Sequence, residues 1–387
     1  MAVINRIAGF ADDMAAWRRH LHMHPELSLD CHNTAAFVVD KLREFGVDEI
    51  HPGWATSGVV AVINGKGQGP TTALRADMDA LPMDEKTGAE WASTVPGSMH
   101  ACGHDGHTTM LLGAARYLAE TRNFTGRVVL LFQPAEESIG GGRIMVEEGV
   151  MDKFDVDEVF ALHTDPFNAL GHFGTRSGGL MASVDDWTIT VTGKGGHAAY
   201  PQTCIDPIPP ALQIANAINT LKAREISAFE PVVVSLTQFH SGSASNIIPD
   251  TAELIGTVRT YSEEMRNVME QRINAIAKAQ ELAFGVDVHI DYDRNYPATI
   301  NHESQTVRAA KIATEIVGEQ SVDANIAPEM GSEDFSYMLE SRPGAFLFLG
   351  QGVGPSVHHP EFDFNDEAAP IGASFLARLI ERNHPIG

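Results

Sequence analysis

At 387 residues the chain is too long for one compact core, so two domains, or one domain carrying a large insertion, are expected. The hydrophobic fraction of 43% is ordinary for a globular protein. No apolar run approaches the roughly 18 residues of a membrane span, which excludes a bilayer-spanning reading. A formal net charge of −24 would repel a phosphate backbone and excludes nucleic acid as a partner.

The N-terminus has no basic start, sustained apolar stretch or small-residue cleavage site, so it does not read as a signal peptide, and a cytoplasmic location is expected. Cys31, Cys102 and Cys204 show no CxxC spacing and leave an odd one over, which argues against a disulfide framework.

Asp12 to Phe45 reads as helical, with a break near His24-Pro25 and a stop at Gly46. Short apolar runs typical of buried strands follow, Gly58 to Ile63 and Thr72 to Ala76, then a polar loop ending at His107 and a helix with Met110, Leu111, Ala114, Ala115 and Leu118 on one face. Val128 to Phe132 is another continuous apolar run, a glycine-punctuated helix lies around Gly142 to Gly149, and Val159 to Leu162 is a further strand. Ala345 to Leu349 adds one more. Strands alternating with helices make this part an α/β layer structure.

Between them the pattern changes. Trp187, Ile189 and Val191 alternate with threonines, as in a strand with one wet face. A helix from about Pro210 to Arg224, strands near 232–239 and 252–259, a helix from Glu263 to Phe284 and the alternating strand 286–292 complete the order βαββαβ. That order signs a ferredoxin-like unit, placed at 183–294 and inserted into an α/β domain made of residues 1–182 and 295–387.

The densest set of potential ligands is His100-Ala-Cys-Gly-His-Asp-Gly-His107, where Cys102 and His104 could present sulfur and nitrogen to one cation. Phe132-Gln-Pro-Ala-Glu-Glu137 directly follows a buried strand, at the edge where open α/β sheets bind ligands. Successive side chains in extended backbone face opposite ways, so the two glutamates suit different jobs: one ligates a metal, the other takes a proton from metal-activated water. His163, Val357-His-His-Pro360 and Arg75-Ala-Asp-Met-Asp79 also follow predicted strands. Five or six ligands exceed what one zinc needs and suggest two ions. HExxH, GxSxG, P-loop and dinucleotide fingerprints are absent.

Together with Arg18 to Glu26, Gly193 to His197, Ser245 to Pro249 and Gly331 to Phe335, these motifs resemble the M20 metallopeptidase family over nearly the whole chain. The likeness is to its amidohydrolase branch of hippurate hydrolases, N-acyl-amino-acid amidohydrolases and auxin-conjugate hydrolases. The resemblance implies a zinc-peptidase-like catalytic domain with the inserted domain as lid and dimerisation element. It implies that Cys102, His104, Glu137, His163 and His358 ligate two divalent ions, zinc or manganese, with Glu136 as general base and Asp79 supporting a ligand. His358 rather than His359 is chosen by its spacing to Pro360. His197, Asn246 and Arg259 occupy positions used for substrate polar groups, and His197 can serve a neighbouring subunit's site in a homodimer or homotetramer. The implied reaction is cleavage of small N-acyl-L-amino acids, hippurate-like, by a metal-bound hydroxide. A dipeptidase or aminoacylase of the same family is the alternative, and a non-catalytic binding protein on the same fold a more distant one.

Overall fold

The computed structural model describes residues 2–386. After a one-turn helix at Asn5–Ala8, the main elements in chain order are helices α1 (Ala11–Met23) and α2 (His32–Glu44), strands β1 (Glu49–Trp54), β2 (Gly58–Asn64) and β3 (Thr71–Asp77), helix α3 (His104–Thr121), and strands β4 (Arg127–Gln133) and β5 (Glu158–Asp165). Next come β6 (Asp185–Thr192), the two-residue β7 (Gly196–His197), α4 (Ile208–Arg224), β8 (Val233–Ser241), the two-residue β9 (Ile247–Ile248), β10 (Thr251–Arg259), α5 (Glu263–Phe284) and β11 (Asp287–Arg294). Helix α6 (Glu303–Val317), strand β12 (Gly344–Gly350) and helix α7 (Ala369–Asn383) close the chain.

The chain divides into two compact units. The first holds the residues up to Leu180, Ile300–Ala327 and those from Asp334 onward; the second holds Met181–Thr299 and Pro328–Glu333. The short segment 328–333 carries no pattern that would assign it from sequence. Backbone bonds from Ala182 N–H to the carbonyls of Glu329 and Gly331 tie it to the second unit.

In the first unit the principal strands lie in the order β1-β2-β4-β3-β5-β12. Strands β4, β3, β5 and β12 are mutually parallel, and β2 adds antiparallel to β4. Their residues are buried on both faces, which is why these strands read as unbroken apolar runs instead of alternating ones. Parallel alignment puts the carboxyl ends of β3, β4, β5 and β12 along one edge. Helix α3 is buried from His104 to Ala115 and belongs to the same core as α7 and the sheet.

The sequence predicts that this helix starts after His107, whereas it starts at His104. Gly103 in the left-handed region (φ 84°) turns the chain directly into the helix, so His104 and His107 stand one turn apart on it. Strand β5 also runs past its predicted end, so His163 lies within it. The predicted helix around Gly142 to Gly149 is two short ones, Gly141–Glu147 and Val150–Lys153.

In the second unit β6, α4, β8, β10, α5 and β11 follow the order βαββαβ, and the sheet order β8-β10-β6-β11 is antiparallel throughout. Trp187, Ile189 and Val191 point to the buried face under α4 and α5. Among the described residues no helix is long and apolar enough to cross a membrane.

Candidate metal centre

Each candidate of the first unit sits at or just beyond the carboxyl edge of its sheet. Two residues after β4 the chain bends sharply at Ala135, which takes a positive φ of 60°. Asp79, two residues beyond β3, holds this bend: its Oδ1 accepts the Glu136 N–H at 3.0 Å and its Oδ2 the Glu137 N–H at 3.1 Å. One carboxylate thus fixes two successive amides, and with them the divergent paths of the two glutamate side chains. Glu136 is buried and Glu137 nearly so.

Cys102 and His104 flank Gly103, where a Cβ would come within 2.6 Å of the Thr164 side chain, so only glycine lets this loop lie against the end of β5. Cys102 Sγ is 3.5 Å from His163 Nε2. His163 Nδ1 donates to the carbonyl of Thr164 at 2.7 Å, which leaves Nε2 as the ring's donor atom toward the cluster. His104 Nε2 is 3.8 Å from Glu137 Oε1, and His358 Nε2 is 3.1 Å from that same oxygen. The His358 backbone takes a positive φ of 62°, and its N–H donates to Ala101 O at 2.7 Å, linking the loop of Cys102 to that of His358. The neighbouring His359 turns its Nδ1 onto the N–H of Glu361 and engages only its own loop there.

Cys102, His104 and His163 form one group with donor atoms within 4.8 Å of one another; Cys102, Glu137 and His358 form a second, and His104, Glu136 and Glu137 a third. Two ligands about 2.1 Å from a common tetrahedral ion stand about 3.4 Å apart. The separations above bracket that value. Among the described residues, His104 Nε2 is buried with no hydrogen-bond partner and Glu137 Oε1 has only its 3.1 Å contact with His358, while His104 Nδ1 faces Asp79 Oδ1 at 3.5 Å. Buried polar atoms are almost always paired, and atoms left open while aimed at one another are what a cation-binding donor set requires.

The electrostatics agree. Burial, then the carboxylates of Glu137 and Glu136, push the Cys102 thiol well above its usual range. Burial opposes a charge on His104, yet Asp77, Asp79 and Glu137 outweigh it and raise its pKa to about 10. His163 is pushed down to about 4 by burial, with Asp77 opposing. A thiol surrounded by carboxylates gives up its proton readily only to a cation among them. The residues therefore fit a site for divalent metal.

Two residues at this site have roles that the sequence does not separate from their neighbours. Asp77, the last residue of β3, lies between two imidazoles, 2.6 Å from His107 Nδ1 and 3.7 Å from His104 Nε2. Burial would raise its pKa, but His104, Arg75 and His107 hold it well below the usual carboxylate range. His107 Nε2 accepts the Thr164 N–H at 2.9 Å, so both its nitrogens are engaged and it supports the strand end of His163 instead of offering a lone pair to an ion. The i, i+3 spacing of His104 and His107 was the available signal, hidden by the misplaced helix start.

His197, Asn246 and Arg259 all lie in the second unit. His197 pairs with Ile247 in the β7–β9 ribbon, is exposed, and accepts the Ala199 N–H on its Nδ1 at 3.1 Å. Asn246, beside it, accepts the Ala198 N–H on its carbonyl. Arg259 ends β10, half-buried, with Nη1 donating to Ser332 Oγ at 3.2 Å, and burial lowers its pKa. The ribbon lies beyond the Thr251 end of that strand, where Gly193 and Gly195 N–H groups bond Asp250. Nine residues of β10 therefore put about 27 Å between the two ends.

Residues 73–382 match the model of peptidase family M20/M25/M40. The chain belongs to the M20 peptidase family. An N-acetyl-L-cysteine deacetylase of Bacillus subtilis (strain 168) is 41% identical to it over 374 residues, covering 95% of this chain and 88% of that protein. The hippurate hydrolase of Campylobacter jejuni is 38% identical over 379 residues, with 98% of each covered. A solved Bacillus subtilis structure described as a dinuclear metal-binding peptidase of the M20 family superposes with a TM-score of 0.84 at 35% identity, covering 96% of this chain and 98% of that one. These relatives put this M20 chain in the amidohydrolase branch, as a hydrolase of amide or peptide bonds with a site for two divalent ions.

Proposed function

We propose that the protein hydrolyses the amide bond of N-acyl-L-amino acids, releasing a carboxylic acid and a free amino acid. The observation that carries this reading is the convergence of Cys102, His104, Glu137, His163 and His358 around Glu136 at one sheet edge, with donor atoms spaced for metal. Cys102, His104 and Glu137 each belong to two of the three donor groups, so the set offers more ligands than one ion needs. The thiol favours zinc, and the carboxylate also suits manganese. When bound, the two ions supply Lewis acidity that polarises the scissile carbonyl and acidifies the attacking water.

Glu136 takes the proton from that water and returns it to the amine nitrogen as the C–N bond breaks. Its buried setting keeps bulk water from competing for the proton. Asp79 holds Glu136 and Glu137 in place through their amides. Arg259 suits a bidentate grip on the substrate carboxylate, and His197 and Asn246 suit the carbonyl oxygen as it gains charge. An N-acyl amino acid is much shorter than the roughly 27 Å of β10. Arg259 and His197 of one chain therefore do not share a substrate, which supports a homodimer in which the partner's inserted unit supplies the histidine. Strand β8 offers an open edge for such pairing.

The test is release of amino acid from N-benzoyl, N-acetyl and N-indoleacetyl amino acids by metal-reconstituted protein. Hydrolysis of dipeptides with a free α-amino group in preference to all three would replace this reading with a dipeptidase. No turnover of any of them would favour a binding protein.

A further inference from the structure

The first turn of α3 touches a second charged cluster that the proposed chemistry does not use. Arg18 and His22, four residues apart on α1, present one buried face. His22 Nδ1 is 2.8 Å from Asp105 Oδ2 and its Nε2 is 3.3 Å from Glu85 Oε1. Arg18 donates to Asp363 at 2.8 Å and to Asp366 at 2.6 Å. Glu85 also accepts the Thr87 hydroxyl and the Ser93 N–H, which folds the loop after β3. The next residue, Lys86, donates its N–H to Pro360 O at 2.7 Å, two residues past His358.

Four segments therefore meet here: α1, the loop containing Glu85, the start of α3, and the loop 357–366. Two of them carry proposed metal ligands, since His104 immediately precedes Asp105 and His358 shares the loop of Pro360, Asp363 and Asp366. An imidazole facing a carboxylate on each side donates from both nitrogens, so each bond is charge-assisted. Burial opposes that charge, but Asp105 and then Glu85 outweigh it and raise the His22 pKa to about 9.

We propose that His22 is a positioning residue for the metal centre: through Asp105 it fixes the first turn of α3, and through Glu85 the loop tied to Pro360, so that His104 and His358 stand at donor distance before an ion arrives. This rests on the assignment of those two histidines as ligands. His22 itself touches neither ligand ring. Removing it leaves every donor residue in the chain but no longer holds the two segments, so metal uptake gains an ordering step and affinity falls.

The experiment is a titration of the metal-free, full-length chain with Zn²⁺ and with Mn²⁺ against a competing chelator, for the wild type, His22→Leu and Glu85→Gln, alongside thermal midpoints of the metal-free proteins. His22→Leu is expected to weaken metal binding roughly 10- to 100-fold, as loss of outer-shell partners of a ligand does. Glu85→Gln, which keeps the Asp105 bond, is expected to weaken it less, and it answers the question alone should His22→Leu not fold. A residue with only a structural role would lower the metal-free midpoint and leave affinity unchanged. Folded variants that bind both metals as tightly as the wild type overturn the proposal. A wild type that binds fewer than two ions overturns the ligand assignment instead.

Discussion

Two buried polar clusters flank the first turn of α3, built from the same side chains and set apart by how completely they are paired. Around His22 both ring nitrogens and the carboxylates of Asp105 and Glu85 are engaged. Around His104, its Nε2 has no hydrogen-bond partner among the described residues and Glu137 Oε1 meets only the ring of His358. A buried polar network that closes on itself stabilises one conformation; one that stays open must be closed by something else. Pairing, more than composition, separates a structural histidine from a proposed ligand here.

Glu136→Ala gives the largest expected effect: a loss of activity of about a thousandfold with two ions still bound by metal analysis. Retained turnover would show that the open cluster uses another base. His358→Ala is expected to cost one of the two ions, read as metal-to-protein ratio after gel filtration. Chelation of the wild type is expected to lower its thermal midpoint, because ligand at a thousand times Kd stabilises by about 4 kcal/mol, and reloading should restore it.

The closed cluster is tested by pH in the metal-free protein. His22 has a folded pKa raised to about 9 from 6.5, so its contribution is complete below pH 6.5 and is lost as pH rises through 9. Asp105 works the other way: its carboxyl is depressed by His22 against its own burial, and its contribution is lost as pH falls below 3.8. Stability from this pair should therefore plateau between those limits. Urea unfolding is expected to show about 3 kcal/mol lost between pH 6.5 and 9.5 in the wild type, and a flatter profile in His22→Gln. The smallest effect is His359→Ala, expected to leave metal content intact and activity within about twofold; a lost ion there would reverse the choice between the adjacent histidines.

Much of this was legible in the sequence. Continuous apolar runs mark strands buried on both faces, and Trp187, Ile189 and Val191 mark a strand with one wet face. Candidate ligands cluster after those runs because parallel strands align their carboxyl ends. The start of α3 was not legible, because Gly103 serves as entry through its backbone angle and offers no capping side chain. His22 was equally hidden. In the sequence it sits among His20 and His24, and only packing shows that it is buried while its two neighbours are exposed. The segment 328–333 was assigned by backbone bonds that no residue type announces.

The left-handed backbone at His358 bears on how the site can be re-engineered. Glycine settles most readily into that conformation, asparagine, aspartate and histidine adopt it more often than other residues, and β-branched or bulky residues rarely do. A library at this position that seeks a different donor is therefore filtered twice, by side-chain chemistry and by backbone tolerance. Aspartate passes both filters with a shorter reach, whereas glutamate and cysteine, chemically the more natural replacements for an imidazole, meet more backbone resistance there than the histidine they replace.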